Sequence, residues 1–331
     1  MKIFVTGATG FIGSHFTELA LAQGHEVIGS YTAERPEKSA LMQSLRARGA
    51  QLEKVDILDA PNLQRSMAGC EAVCHIAGAF RESGVDDAYF HKVNVVGTRN
   101  VMLAAAAAGV RRFVFCGTAG IFGQRVPGII TERSPVQPFN AYESSKVDAE
   151  AEVRKLAAEH KMEYAIVRPS AVYGPRDERL VKLFKSAAKG KFPLFGKGEG
   201  RRHMIYVTDL ADAFLRACTM PTAAAQEFIA AGPRAVPLHD MLDTLASVVG
   251  KKKVGPSLPL APMLIAAAIT EDVCKVIGVQ PPIYRRRMDF YRNDASFDCS
   301  KAAQILGWKP AVDLAEGFAA THASYREQGW I

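Results

Sequence analysis

Apolar and polar positions in the first third of the chain switch repeatedly between two periods. Lys2-Ile3-Phe4-Val5 is a short β-branched and aromatic run, which predicts a buried strand ended by the glycines that follow. Residues 14–21 suit a helix that Gly24 stops, and residues 26–30 begin the next strand. Residues 51–56 read as a third strand with Asp56 and Ile57 at its end, and residues 71–78 as a fourth ending in small side chains. Residues 93–109 form an alanine-rich helical stretch stopped by Gly109, and residues 112–117 a fifth strand. Such alternation predicts an α/β fold, a Rossmann-type doubly wound parallel sheet whose ligands sit at the carboxyl ends of the strands. Residues 1–174 are assigned to this sheet domain. Residues 175–331 are assigned mainly to a smaller, mixed α/β C-terminal substrate lobe, with residues 204–231 returning to the sheet.

Composition narrows the class. With 331 residues, 48% hydrophobic and 23% charged, the chain is that of a globular protein larger than one typical domain. The net charge of +7 is concentrated between Arg176 and Arg202 and at Arg285-Arg286-Arg287. No helix-turn-helix, finger or aromatic-rich RNA motif accompanies it, so a nucleic-acid partner is not expected. A solvated basic face and a pocket for an anionic ligand both remain open. The six cysteines include a Cys70/Cys74 spacing with no matching Cys or His pair, so reduced thiols are expected and a metal site is not. No signal-peptide pattern opens the chain. The apolar stretch 258–270 contains Pro259 and Pro262 and is too short to span a bilayer, which points to a cytoplasmic protein with no membrane span. Within it, residues 258–269 read as a buried helix or dimer contact in preference to a lipid-binding surface.

Two motifs carry chemistry. The segment Thr6-Gly7-Ala8-Thr9-Gly10-Phe11-Ile12-Gly13 lies between the first strand and a helix. There Gly7 permits a tight turn, Gly10 lets the backbone approach a pyrophosphate, and Gly13 lets the helix pack on the strand. The helix N-terminus adds unpaired N–H groups and partial positive charge. Further on, Tyr142 and Lys146 lie four apart at the start of a helix running toward His160, and so share a face. An ammonium near the phenol favours phenolate, making Tyr142 a general acid/base for an alcohol oxygen that Thr118 would orient.

With those residues in place, the chain resembles the extended short-chain dehydrogenase/reductase family, which includes nucleotide-sugar epimerases and 3β-hydroxysteroid dehydrogenases. The resemblance rests on TGATGFIG at 6–13, VNVVGTRN at 93–100, GTAGIFG at 117–123 and YESSK at 142–146. It continues through VRPSAVYGPRD at 167–177, RRHMIYVTDLADA at 201–213 and DCSKAAQILGWKP at 298–310. It implies an NAD(P)-dependent oxidoreductase or epimerase with Thr118, Tyr142 and Lys146 as the catalytic set. Gly7, Gly10, Phe11, Ile12 and Gly13 would hold the pyrophosphate, Asp56 and Ile57 the adenine, and Ala77, Gly78 and Asn94 the inner cofactor. The backbone from Pro169 to Val172 would meet the nicotinamide amide. Asn94 has a second reading as a helix-start cap, and Asp209 reads as a cap of the helix that follows it.

Three departures from the family pattern matter. Tyr31 stands where members that use NAD often carry an acid, and Arg35 or Lys38 could meet a 2′-phosphate, which favours NADP over NAD. Ala119-Gly120 replaces the Asp-Glu pair of the 4,6-dehydratases, so dehydration is not expected. Arg202 and Arg287 match a diphosphate-binding role and favour a nucleotide sugar, yet Ala171 replaces a frequent Asn. The apolar segment 258–269 favours the alternative, a steroid-type or dihydroflavonol-type dehydrogenase or reductase. A cofactor-sensing binding protein without catalysis is a more distant reading. The resemblance also implies a homodimer packed through the helix over residues 150–160.

Overall fold

The computed structural model describes residues 1–34, 36–80, 85–124, 126–277, 279 and 285–331, excepting the side chains of 275, 276, 285–287 and 289. Arg35 and the Arg287 side chain therefore lie outside the described residues. Six strands, β1 (Lys2–Thr6), β2 (Glu26–Tyr31), β3 (Gln51–Lys54), β4 (Ala72–His75), β5 (Arg112–Cys116) and β6 (Glu163–Pro169), are joined by a seventh, Gln226–Ala230. All seven are parallel and lie in the order β3-β2-β1-β4-β5-β6 and then Gln226–Ala230. The chain steps outward in one direction from β1 and in the other from β4. The crevice between their carboxyl ends is thus the switch point where α/β sheets bind ligands.

Alternation along the strands explains the two cores. Ile3, Val5 and Val114 face one side, with Phe16, Phe214, Phe228 and Trp308. Phe4, Phe113 and Phe115 face the other, with Ile28, Val101, Val153 and Ile166. Each fully buried large apolar side chain contributes about 1.5–3 kcal/mol, so a slip of one residue in register would cost both faces at once. The described helices that frame the crevice are Phe11–Ala22, Gly97–Ala107 and Ala141–His160. The helix read from sequence as starting at residue 93 starts earlier. Asp86 caps it, accepting from the Tyr89 N–H at 2.9 Å, and the helix widens to a π-helical stretch over His91–Val96. Asn94 is therefore mid-helix and caps nothing.

A third core gathers Tyr173 of strand Ala171–Tyr173 with Phe184, Leu238, Leu245, Phe318 and Tyr325 from helices Val181–Ala188, Leu238–Val248 and Leu314–Glu327. Asp209 ties this layer to the sheet. Its carboxylate accepts from the backbone N–H groups of Ala311 and Val312, both at 3.0 Å, while its carbonyl accepts from the Trp308 indole at 3.0 Å. The helix-cap reading of Asp209 is thereby corrected: the side chain is committed to a segment about a hundred residues away.

Candidate active site

The crevice is built from the end of β1 outward. Gly7 adopts a left-handed φ of 70°, and a Cβ there would stand 3.2 Å from the Ala77 Cα. Gly10 opens the helix Phe11–Ala22 without any side-chain cap, so the helix's first N–H groups face the crevice. A Cβ on Gly13 would lie 2.1 Å from the Gly7 carbonyl oxygen. Only glycine lets the helix sit this close to the loop. The cradle fits a pyrophosphate: exposed backbone donors, a helix N-terminus and no side chain in the way.

Thr6 and His75 end β1 and β4 side by side and begin a buried relay. Thr98 donates its hydroxyl proton to the Asn94 carbonyl at 2.5 Å, so His75 Nε2 must donate to Thr98 Oγ1, 3.0 Å away. His75 Nδ1 is then the acceptor for Thr6 Oγ1 at 2.7 Å, and that oxygen accepts from the N–H groups of Ile76 and Ala77, each at 3.0 Å. Burial, assisted by the Lys146 charge, holds His75 neutral, its pKa pushed down to about 3. The relay fixes the backbone that follows β4. Asn94 holds the next stretch: its Oδ1 accepts from Ala79 N–H at 2.8 Å, and its Nδ2 donates to Ala79 O at 3.2 Å and to Ser145 Oγ at 2.9 Å. Ser145 donates to the Tyr142 carbonyl at 2.6 Å. Asn94 thus connects the loop after β4 to the helix that carries Tyr142, and a Cβ on Gly78 would meet its Oδ1 at 2.9 Å.

Asn140 caps the helix Ala141–His160, accepting from Glu143 N–H at 3.0 Å. Farther along, Glu150 receives Arg168 of β6 at 2.9 and 2.6 Å, and Arg168 also reaches Glu227 of the seventh strand at 2.6 Å. Arg154 bridges the same two carboxylates. This buried network fastens the helix to the sheet and so positions Tyr142 and Lys146 over the end of β5. It also turns Glu150 inward, where its side chain is buried.

Thr118 accepts from Gly120 N–H at 3.1 Å, and it lowers the pKa of the Tyr142 phenol beside it. Burial is the largest influence on Tyr142 and pushes its phenol above the ordinary value; Thr118 and Arg179 lead those that pull it back. Lys146 is buried with its ammonium 4.3 Å from the Phe115 ring centroid, and burial lowers its pKa. The expected depression of the Tyr142 pKa is outweighed by desolvation in this arrangement.

Four residues of the site were not singled out from sequence. Phe80 meets Tyr142 edge-to-face at 4.9 Å. The Arg179 guanidinium lies 5.2 Å from the Phe11 ring and 5.4 Å from Phe80, and donates to the Val172 carbonyl at 2.8 Å. Ser170, between Pro169 and Val172, has a buried hydroxyl with no partner among the described residues, a cost of about 1–3 kcal/mol that a ligand amide would relieve. Ser145 is the fourth. Arg179 lies in the basic run noted above; the others carry no local signal.

Other sequence assignments fall differently. Ile57 is buried against Gly97, leaving Asp56 exposed with its carboxylate on Leu58 N–H at 2.9 Å. Tyr31 is buried and donates to Glu34 Oε1 at 3.1 Å, while Lys38 donates to the Thr9 carbonyl at 3.1 Å. An acid therefore does stand at the end of β2, three residues beyond the expected position, with a cation on the glycine loop. Arg202 is buried and donates to the carbonyls of Arg201, Phe290 and Asn293. Burial pushes its pKa down to about 10. The cavity beside it measures about 10 Å³, room for roughly one water molecule and none for a diphosphate. The diphosphate role expected of Arg202 is not what this arrangement displays: the guanidinium closes the carbonyl end of helix Arg285–Arg292.

The model of the NAD dependent epimerase/dehydratase family matches residues 3–232. The chain belongs to this family. It is 30% identical to a UDP-glucose 4-epimerase of Mycolicibacterium smegmatis, covering 99% of both chains. It is 27% identical to a 2-alkyl-3-oxoalkanoate reductase of Stenotrophomonas maltophilia, covering 98% of this chain and 99% of that one. The fold matches a UDP-glucuronic acid 4-epimerase from Bacillus cereus in complex with NAD, with a TM-score of 0.80 at 23% identity over 99% of each chain. Epimerases and reductases thus stand side by side among its relatives. Among the described residues no helix is long and apolar enough to cross a membrane.

Proposed function

We propose that the protein catalyses reversible hydride transfer between a nicotinamide cofactor and a secondary alcohol or ketone carbon, with Tyr142 as the proton-transferring group. The observation that carries this reading is the grouping of Thr118, Tyr142 and Lys146 at the carboxyl end of β5, beside a glycine cradle shaped to fit a pyrophosphate. The cofactor, when bound, supplies or accepts the hydride. Tyr142 gives or takes the proton of the substrate oxygen, and Thr118, its own oxygen held by Gly120 N–H, orients that oxygen. Lys146 supplies positive charge behind the phenol and a donor toward the cofactor ribose. Ser170 and the Val172 carbonyl, once Arg179 swings away, offer a donor and an acceptor to the nicotinamide amide.

Relatives named for UDP-sugars support a nucleotide-sugar substrate. A second reading, a lipophilic β-hydroxy or β-keto compound, is favoured by one observation: the arginine expected to grip a diphosphate spends its donors on backbone carbonyls. Tyr142→Phe tests the shared chemistry. Turnover should fall about 100-fold or more while cofactor affinity stays within a factor of two; near wild-type turnover would remove Tyr142 from the proton path. Arg202→Met separates the substrates. A large rise in KM for a nucleotide sugar supports the first reading, and an unchanged KM with a lowered melting temperature supports the second.

A further inference from the structure

Helix Leu260–Ile277 buries Ala267 and Cys274 completely or nearly so, yet leaves a row of branched apolar side chains in water. Ile265, Ile269, Val273 and Ile277 follow one another at four-residue spacing and are 62%, 58%, 52% and 62% exposed. Four-residue spacing keeps them on one gently drifting face, so the row extends over roughly 18 Å of helix. Of the two readings of residues 258–269, a buried helix or a dimer contact, the first holds for one face alone. An apolar strip of this kind, solvated at a cost, marks an interaction surface.

The surroundings say what covers it. Lys182, Lys185, Lys189, Lys191, Lys197, Lys251, Lys252 and Lys253 are all exposed, and residues 181–198 contain no acid. The two lysine-bearing segments are zipped together just before the helix. Phe192 N–H donates to the Val254 carbonyl, Leu194 to Pro256 and Gly196 to Leu258, each at 2.9 Å. Leu258, 41% exposed, continues the apolar strip back to this junction. Glu271 and Asp272 are the acids on the helix. A second copy of the chain seated on the strip would cover the apolar row, but the helix itself offers those eight exposed lysines two acids. An anionic surface would meet both features at once.

We propose that the exposed face of helix Leu260–Ile277, with the lysines of residues 182–197 and 251–253, docks on an anionic phospholipid bilayer surface. The helix lies in the plane of the headgroups with its isoleucines below and the lysines against the phosphates. The docking is independent of which substrate the active site takes, and its test reads binding and not turnover.

Full-length protein is floated with vesicles of phosphatidylcholine alone, or of phosphatidylcholine with phosphatidylglycerol, at low and at high salt. Two surface variants are compared, Ile265→Asn/Ile269→Asn/Val273→Asn and Lys251→Gln/Lys252→Gln/Lys253→Gln, each checked for an unchanged melting temperature. The expected result is recovery of wild type with the anionic vesicles, weakened by salt, and a loss of about 10-fold or more in partitioning for each variant. Failure of wild type to bind anionic vesicles would overturn the proposal. So would undiminished binding by the Asn variant, or a dimer that the Asn substitutions dissociate with no vesicle binding by either protein.

Discussion

Replacing Gly13 and Gly10 by alanine, one at a time, separates the packing role of the glycine loop from its ligand role. A methyl at Gly13 meets the Gly7 carbonyl oxygen at 2.1 Å, the Gly7 carbonyl carbon at 2.8 Å and the Ala8 Cα at 3.2 Å, all of them backbone. No side chain can rotate away, so the helix Phe11–Ala22 must retreat from β1 by about an ångström to reach ordinary contact. Such overpacking typically costs about 1–3 kcal/mol, toward the upper end where both sides are backbone. The gain in helix propensity of alanine over glycine offsets about 1 kcal/mol, leaving a net loss of roughly 1–2 kcal/mol. Gly10 differs. Its φ of −78° suits any residue, and a methyl there touches only the Gly7 oxygen at 3.0 Å. Gly10→Ala should therefore fold with nearly wild-type stability but place a methyl where the pyrophosphate approaches. Thermal denaturation of the cofactor-free protein should show a clear drop for Gly13→Ala and little for Gly10→Ala. Titration with NAD and NADP should show Gly10→Ala weakened about 10-fold or more. If Gly10→Ala binds both cofactors like wild type, or if Gly13→Ala melts with wild type, the reasoning from the cradle's geometry fails.

Acid should destabilise the protein through its buried histidines. His15 and His75 have folded pKa values pushed by burial to about 4 and about 3, from 6.5 when unfolded. Their contribution is fully present above pH 6.5 and declines as the pH falls below it, at up to about 1.4 kcal/mol per pH unit for each. Melting temperatures between pH 7 and 5 should follow that slope, and His15→Gln should flatten it; a variant that loses stability just as steeply would exclude His15 as a contributor. Lys38→Ala should weaken NADP binding more than NAD, and Glu34→Gln should strengthen NADP, because the two charges flank the end of β2. Equal effects on both cofactors would show that neither side chain faces the 2′ position.

The spacing of Tyr142 and Lys146, the glycine loop and five of the seven strands were readable because their signals are local. A strand's period spans a few residues, and a glycine's role in a tight turn follows from its immediate neighbours. Tyr142 and Lys146 share a helix face by spacing alone. What the local pattern did not show depended on partners far away in the chain. Asp209 has the residue type of a helix cap, but Ala311 and Val312 claim its carboxylate. Asn94 resembles a cap at the start of a periodic stretch, yet its amide connects Ala79 to Ser145, 51 residues apart from it. Arg202 sits in a motif suited to phosphate, and the carbonyls of Phe290 and Asn293 occupy it.

The apolar segment shows the division most plainly. Its composition determines that it forms a helix with an apolar face, since that follows from side-chain period and propensity. Whether that face meets the protein core or solvent depends on what other elements lie beside it, and on Ile265, Ile269 and Val273 nothing described does. Sequence by itself thus determined most of the sheet's strands, the glycine turn after the first of them and the shared helix face of Tyr142 and Lys146. Tertiary structure alone decided which polar groups are already satisfied and which apolar ones are not, because a hydrogen bond or a buried methyl is a property of two partners, and only folding selects the second.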